Sequence, residues 1–157
     1  MKILLPVDGS SFSDAAVTEV GARPWPEQSE IKILSAFQVP ITPTPEVWTI
    51  SDEYYPALEL AAREQAQAIV AAAVAKLAGS LGKSIRLTSE VQAGPAREVI
   101  LDEAERWPAD LIVMGSHGYG AWQRLLLGSV SQAVVSHADC SVEVVHSRKH
   151  NHDVKAA

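Results

Sequence analysis

The sequence predicts an α/β domain: an open five-stranded parallel sheet with helices on both faces. Three observations predict it. Five short apolar runs recur along the 157 residues, separated by segments with helical spacing. The order is strand then helix, four times over, closed by a last strand. Parallel neighbours need crossover connections, and helical crossovers wind right-handed and cover both faces of the sheet. The third observation is that the first and fourth runs are almost wholly apolar, as expected of strands buried on both sides.

The first strand is Lys2 to Val7 (K-I-L-L-P-V), ended by Asp8-Gly9-Ser10-Ser11. Phe12, Ala16 and Val20 then form one apolar stripe, with Ser11 or Ser13 as its N-cap. That helix must stop near Arg23, because Pro24 and Pro26 follow. Ile31 to Phe37 is the second strand. The loop after it carries Pro40, Pro43 and Pro45 with Trp48, Tyr54 and Tyr55, too long for a tight connection, which points to a functional flap or an interface. From Pro56, the residues Leu58, Ala62, Ala66, Ile69, Ala73 and Leu77 repeat at helical spacing, and Gly79 and Gly82 end the run. Ser84 to Val91 alternates, as a strand at a sheet edge or with one half-exposed face does. Gly94-Pro95 turns into a third helix, buried through Val99, Ile100, Ala104 and Trp107. Asp110 to Met114 is the fourth strand, a last helix begins near Gly128-Ser129, and Cys140 to Val145 is the fifth strand. Residues 1–147 thus form one domain, and the polar tail 148–157 is expected to be disordered.

Composition narrows the function. Apolar residues make up 47% and charged residues 20%, the proportions of an ordinary globular domain. A net charge of −6 leaves no basic excess for nucleic acid or an anionic membrane. Cys140 is the only cysteine, so no internal disulfide forms. Met1 leads directly into a strand, and no apolar run reaches the roughly 18 residues of a membrane span, so the expected location is the cytoplasm.

The chemistry is concentrated in Met114 to Ser131, M-G-S-H-G-Y-G-A-W-Q-R-L-L-L-G-S-V-S. Gly115 and Gly118 stand three apart, and Gly128-Ser129 follow after nine intervening residues. Glycines let backbone N–H groups approach an anion, and the following helix N-terminus adds donors and partial positive charge. This reads as a phosphate cradle, hence a nucleotide site. Met114 delivers the motif and belongs to the same set. Asp8, like Gly115, lies past the carboxyl end of a strand, where ligands of such sheets sit. Aspartate before Gly-Ser also caps turns, so Asp8 has two readings. Ser131 has two as well: reaching a phosphate from the first helical turn, or satisfying a backbone group.

With these residues in hand, the chain resembles a universal stress protein from L-L-P-V-D-G-S to V-E-V-V. The nucleotide-binding branch of that family carries Gly-x2-Gly-x9-Gly-Ser/Thr, which Gly115, Gly118, Gly128 and Ser129 match, and A-D-L-I-V-M-G-S-H-G is equally typical. The resemblance implies strand order 3-2-1-4-5, which sets strands one and four side by side. It implies ATP as ligand, with phosphates and ribose on Gly115, Gly118, Gly128 and Ser129. Asp8 then lies by the ribose or a magnesium ion, and backbone near Ala36 meets adenine. It also implies a homodimer paired through the last strand, Ser141–Val145. Here the chain departs from the family pattern, with Ser141 in place of a proline and Glu143 in place of an apolar residue. Glu143 either guards the edge against pairing or meets a cation across an interface.

Other readings of the same residues are weaker. A serine elbow needs Gly-x-Ser-x-Gly, and position 114 is Met, so Ser116-His117 is not a nucleophile and base. Arg124 is either a phosphate screen or a solvated helix-face residue. Cys140 reads as a small core residue, and His146, His150 and His152 lack the partner ligands of a metal site. Trp25, Trp48, Tyr54 and Tyr55 fit adenine stacking, a dimer contact or plain packing. No Gly-x4-Gly-Lys-Ser/Thr frame occurs, and Gly118-Tyr-Gly120 lacks a third glycine at Gln123. The expected function is an ATP-binding stress-response or signalling module with at most slow hydrolysis, since no positioned general base stands out. The alternatives are a nucleotide-free dimeric interaction protein and a relative of ATP-pyrophosphatases or nucleotidyl-transfer enzymes.

Overall fold

The computed structural model describes residues 1–39, 54–118 and 127–146. Pro40, Pro43, Pro45, Trp48, Arg124, His150, His152 and the tail 148–157 lie outside the described residues, as does the side chain of Tyr54. The elements run β1 (Lys2–Pro6), α1 (Ser11–Ala22), β2 (Glu30–Phe37), α2 (Tyr54–Ala78), β3 (Arg86–Ala93), α3 (Ala96–Arg106), β4 (Leu111–Gly115), α4 (Ser129–His137) and β5 (Ser141–Val145). The sheet has the order β3-β2-β1-β4-β5, with every pairing parallel.

Side-chain alternation in the central strands builds the two layers. Ile3 and Leu5 point to one face, where they pack with Val17 and Val20 of α1 and Val70 and Leu77 of α2. Leu4 points to the other, joining Val99 and Ile100 of α3, Val134 of α4, and Ile112 and Met114 of β4. Period-two geometry therefore turns a continuous apolar run into two cores. Because the chain winds outward from β1 in both directions, β1 and β4 are neighbours at the reversal. Their carboxyl ends open a crevice there.

Element ends differ from the sequence reading in physically simple ways. The N-cap of α1 is Ser10, not Ser11 or Ser13: its hydroxyl accepts the Ser13 N–H at 3.1 Å. Helix α2 begins at Tyr54, so Pro56 stands inside the first turn rather than opening it. First-turn N–H groups have no intrahelical partner, so a residue without one costs nothing there. Strand β3 runs two residues later than the alternation suggested, because Ile85 donates its N–H to the Gly82 carbonyl at 3.0 Å in a turn. It occupies a sheet edge, as the alternation indicated.

Two ion-pair groups tie distant segments together. Glu103 on α3 is only 1% exposed. Its Oε1 accepts from Lys32 Nζ of β2 at 2.6 Å, and its Oε2 accepts from Gln92 Nε2 at 2.9 Å and from Arg106. Burial alone would raise this carboxyl, yet the hydrogen bonds from Lys32, Arg106 and Gln92 prevail and hold it below the ordinary glutamate value. The Lys32 ammonium also lies 4.8 Å from the centroid of the Trp107 ring.

The second group answers the question raised by Glu143. Arg23, at the end of α1, grips Glu143 of β5 with both terminal nitrogens, at 2.6 and 2.5 Å, and reaches Glu19 at 2.9 Å. These bonds hold the guanidinium more firmly protonated, that to Glu143 most of all. The carboxylate in the edge strand is thus neutralised within its own chain. Cys140 is half-buried against the α3–α4 core, and burial pushes its thiol above the ordinary value, as suits a packing residue.

Candidate nucleotide cleft at the β1–β4 switch

The crevice is built first by the turn after β1. Gly9 adopts a φ of +78°, a left-handed conformation that favours glycine. The turn closes when the Ser10 N–H donates to Asp8 Oδ1 at 3.0 Å. Asp8 therefore does perform the turn role that aspartate before Gly-Ser suggests. Its second oxygen faces across the crevice: a Cβ added to Gly118 would sit 2.8 Å from Asp8 Oδ2. One carboxylate thus fixes the β1 turn and lines the approach from the β4 side.

The opposite wall starts where β4 ends. Ser116 donates its N–H to Val145 of β5, and its carbonyl accepts from Gly128 N–H and from Ser131 Oγ, each bond 2.8 Å long. Those bonds draw the start of α4 against the end of β4. Gly128 is the N-cap of α4 and offers no side chain to cap it. Among the described residues no side chain caps the positive end of the helix dipole, where an anion is favoured. Ser131 is 2% exposed, with its hydroxyl also 2.9 Å from the Gly128 carbonyl, so it serves backbone groups as well as the crevice.

The glycines of the motif do different jobs. A Cβ on Gly115 would lie 2.6 Å from the carbonyl carbon of Phe12 and 2.8 Å from Ser13 N, both backbone atoms of α1. Gly115 thus lets the end of β4 touch the first turn of α1. A Cβ on Gly128 would lie 3.2 Å from His117 Cα and 3.3 Å from the Ser116 carbonyl. Gly118 is exposed, with the Asp8 carboxylate alone in the way among the described residues.

A hollow runs between the walls, lined by Pro6, Val7 and Asp8 after β1, Leu34 and Ala36 of β2, and Ala96 and Ile100 of α3, with Met114, Gly115 and His117 at β4 and Val130 and Ser131 of α4. Of the residues that the sequence nominated, Asp8, Ala36, Met114, Gly115 and Ser131 meet here. Gly118 and Gly128 stand directly beside it, and Ser129 is exposed at the start of α4. His117, which the sequence places in the loop near the ligand, lines the hollow too, whereas Leu34, Ala96, Ile100 and Val130 were not nominated for it. Ala96 and Ile100 stand four apart just after Gly94-Pro95, a spacing that puts both on one helix face.

Among the described residues no group of three His, Cys, Asp or Glu side chains can hold a metal ion, and no helix is long and apolar enough to cross a membrane.

Comparison with known proteins agrees with this architecture. The model of the universal stress protein family matches residues 1–146. Universal stress protein MJ0531 of Methanocaldococcus jannaschii is 31% identical over 149 residues, covering 94% of this chain and 83% of that protein. Other curated relatives are longer, and this chain spans 48% of them. The solved structure of hypothetical protein MJ0577 superposes with a TM-score of 0.78 at 26% identity, covering 94% of this chain and 96% of that one. A universal stress protein family protein of Arabidopsis thaliana, solved with AMP bound, shares the fold at a TM-score of 0.65 and 17% identity, over 94% of this chain and 92% of that one. A family match along nearly the whole chain, joined to the same sheet order, leaves one assignment: this chain belongs to the universal stress protein family.

Proposed function

We propose that the β1–β4 cleft binds an adenine nucleotide, with ATP as the preferred ligand, and that the chain acts as a stress-response or signalling module. The observation that carries this reading is the joining of two unlike surfaces. The hollow lined by Leu34, Ala36, Ile100, Met114 and Val130 is apolar, as a purine requires. It meets a glycine turn and an uncapped helix N-terminus, as phosphates require. Its volume is about 90 Å³, below the roughly 300–1,000 Å³ of pockets that engulf drug-sized ligands. It accommodates the base, with ribose and phosphates lying outward along Asp8, Gly118, Gly128 and Ser129. The AMP held by the Arabidopsis thaliana protein of the same fold is consistent with this choice of ligand.

Magnesium fits this arrangement only together with the nucleotide. Mg²⁺ takes one or two carboxylates and completes its shell with phosphates and water, and Asp8 supplies one carboxylate. The described residues around the hollow offer no carboxylate or lysine dedicated to activating water, in keeping with turnover that is slow at most. Because Arg23 neutralises Glu143, the Ser141–Val145 edge carries no lone charge against strand pairing. We therefore retain the β5-mediated homodimer. A cytoplasmic location and the absence of a nucleic-acid partner complete the proposal, the latter resting on the net charge of −6.

Gly118→Val tests the cleft without disturbing the core. Among the described residues the new side chain meets only the movable Asp8 carboxylate, so the fold should tolerate it while the phosphate path narrows. ATP affinity should fall about tenfold or more by calorimetry. The melting temperature should stay within about 3 °C of wild type, a change below about 1 kcal/mol. An unchanged Kd would remove the phosphates from this side of the crevice.

A further inference from the structure

Among the described residues, one buried side-chain atom of the glycine turn has no hydrogen-bond partner. His117 is 8% exposed, and its Nε2 is the buried side-chain nitrogen without a hydrogen-bond partner among the described residues. Such an atom costs stability unless something else satisfies it. The rest of the residue is held firmly. Nδ1 lies 3.2 Å from Ser116 Oγ, the ring packs against Phe12 at 5.1 Å between centroids, and the carbonyl lies 3.5 Å from Ser10 Oγ as its acceptor. The ring lines the same hollow as Asp8, Met114, Gly115 and Ser131.

We propose that His117 donates from Nε2 to a phosphate oxygen of the bound nucleotide, and so makes the site select phosphorylated over unphosphorylated nucleosides. This rests on the nucleotide reading of the cleft. The chemistry works through Ser116, a positioning residue. A hydroxyl can donate or accept. When Ser116 Oγ–H donates to Nδ1, the imidazole proton sits on Nε2 and is available to an anion. No heavy atom needs to move for that choice.

The surroundings favour an anionic oxygen over an amino group. α4 presents its uncapped N-terminus from one side. Phe12 and Ser13 of α1, Ser116 just past β4, Val130 and Ser131 of α4, Ala36 of β2 and Ala96 of α3 are all uncharged. Asp8 is the one charged side chain among the residues lining the hollow. A phosphate in the hollow needs a donor on its wall. The buried Nε2 of His117, without a partner among the described residues, supplies it.

The test compares wild type, His117→Phe and His117→Gln, titrated with ATP, adenosine and inorganic triphosphate, and melted without ligand. Phenylalanine keeps the packing on Phe12 and removes the donor; glutamine places an amide N–H near the Nε2 position. The ratio of ATP to adenosine affinity should fall about tenfold or more in His117→Phe, and recover to within about threefold of wild type in His117→Gln. The ligand-free melting temperature of His117→Phe should equal or exceed that of wild type, because an unsatisfied buried atom has been removed. Equal loss for ATP and adenosine, or no loss, overturns the proposal. If wild type binds inorganic triphosphate in a His117-dependent way but not ATP, the nucleotide reading falls while the role of His117 stands. If it binds neither, both fall.

Discussion

Gly115→Ala should destabilise the domain by about 3 kcal/mol, the largest effect expected from any change within the glycine motif. The added methyl would sit 2.6 Å from the carbonyl carbon of Phe12 and 2.8 Å from Ser13 N. Those are backbone atoms in the first turn of α1, so no side chain can swing aside. Either α1 moves away from β4 or β4 bends, and the contact between them is part of the core. Urea unfolding should show a lower midpoint at unchanged m-value, and the melting temperature should drop by roughly 6–12 °C for a domain of this size. Gly118→Ala is the matched control, since its methyl faces only the end of a carboxylate. If Gly115→Ala melts like wild type yet loses its ligand, the glycine serves the nucleotide rather than the fold.

Glu103→Ala should cost about 3 kcal/mol by leaving the largely buried Lys32 ammonium without its carboxylate. The low end of the range for broken buried pairs applies, because the Lys32 side chain keeps 16% exposure and some solvation. The change also gives the stability a specific acid limb. Glu103 binds its proton less readily in the folded chain than in the unfolded one, since its donors favour the carboxylate. Its contribution is therefore complete above the unfolded value, near pH 4.3, and is lost as pH falls through the lower folded value. Wild type should weaken on acidification below about pH 4 more steeply than Glu103→Ala. Denaturation curves from pH 7 down to pH 3 measure this, and parallel slopes for the two proteins would contradict it.

Much of this molecule was legible in its residues. The alternation of apolar runs with helical spacing yields the layer order, and the K-I-L-L-P-V run is decoded by period-two geometry into two cores. The candidate cleft was legible through Asp8, Met114 and the glycine spacing, because backbone demands at a strand end leave a local mark. What depended on distant partners was not legible. Glu103 looks like any exposed helical carboxylate, and its burial is decided by Lys32, which lies 71 residues earlier. The signal available was Lys32 itself, a cation inside the otherwise apolar strand I-K-I-L-S-A-F. Glu143 was conspicuous as a charge in an edge strand, but Arg23, its partner 120 residues earlier, carried no mark of the pairing. Gly115 carries a demand that its motif did not announce: besides lining the hollow, it leaves room where a Cβ would meet the backbone of α1. The sequence places His117 in the loop near the ligand but gives it no role, because sequence shows which groups exist and not which lack partners among their neighbours.

The central claim is that the crevice between β1 and β4 is a nucleotide site, and the most direct test is calorimetric titration of the nucleotide-stripped chain with ATP in the presence of magnesium. The account predicts saturable binding of one ATP per chain with a Kd of about 1 mM or tighter. No binding up to millimolar ATP would contradict it, leaving the glycine turn and the open helix end as features of the fold alone.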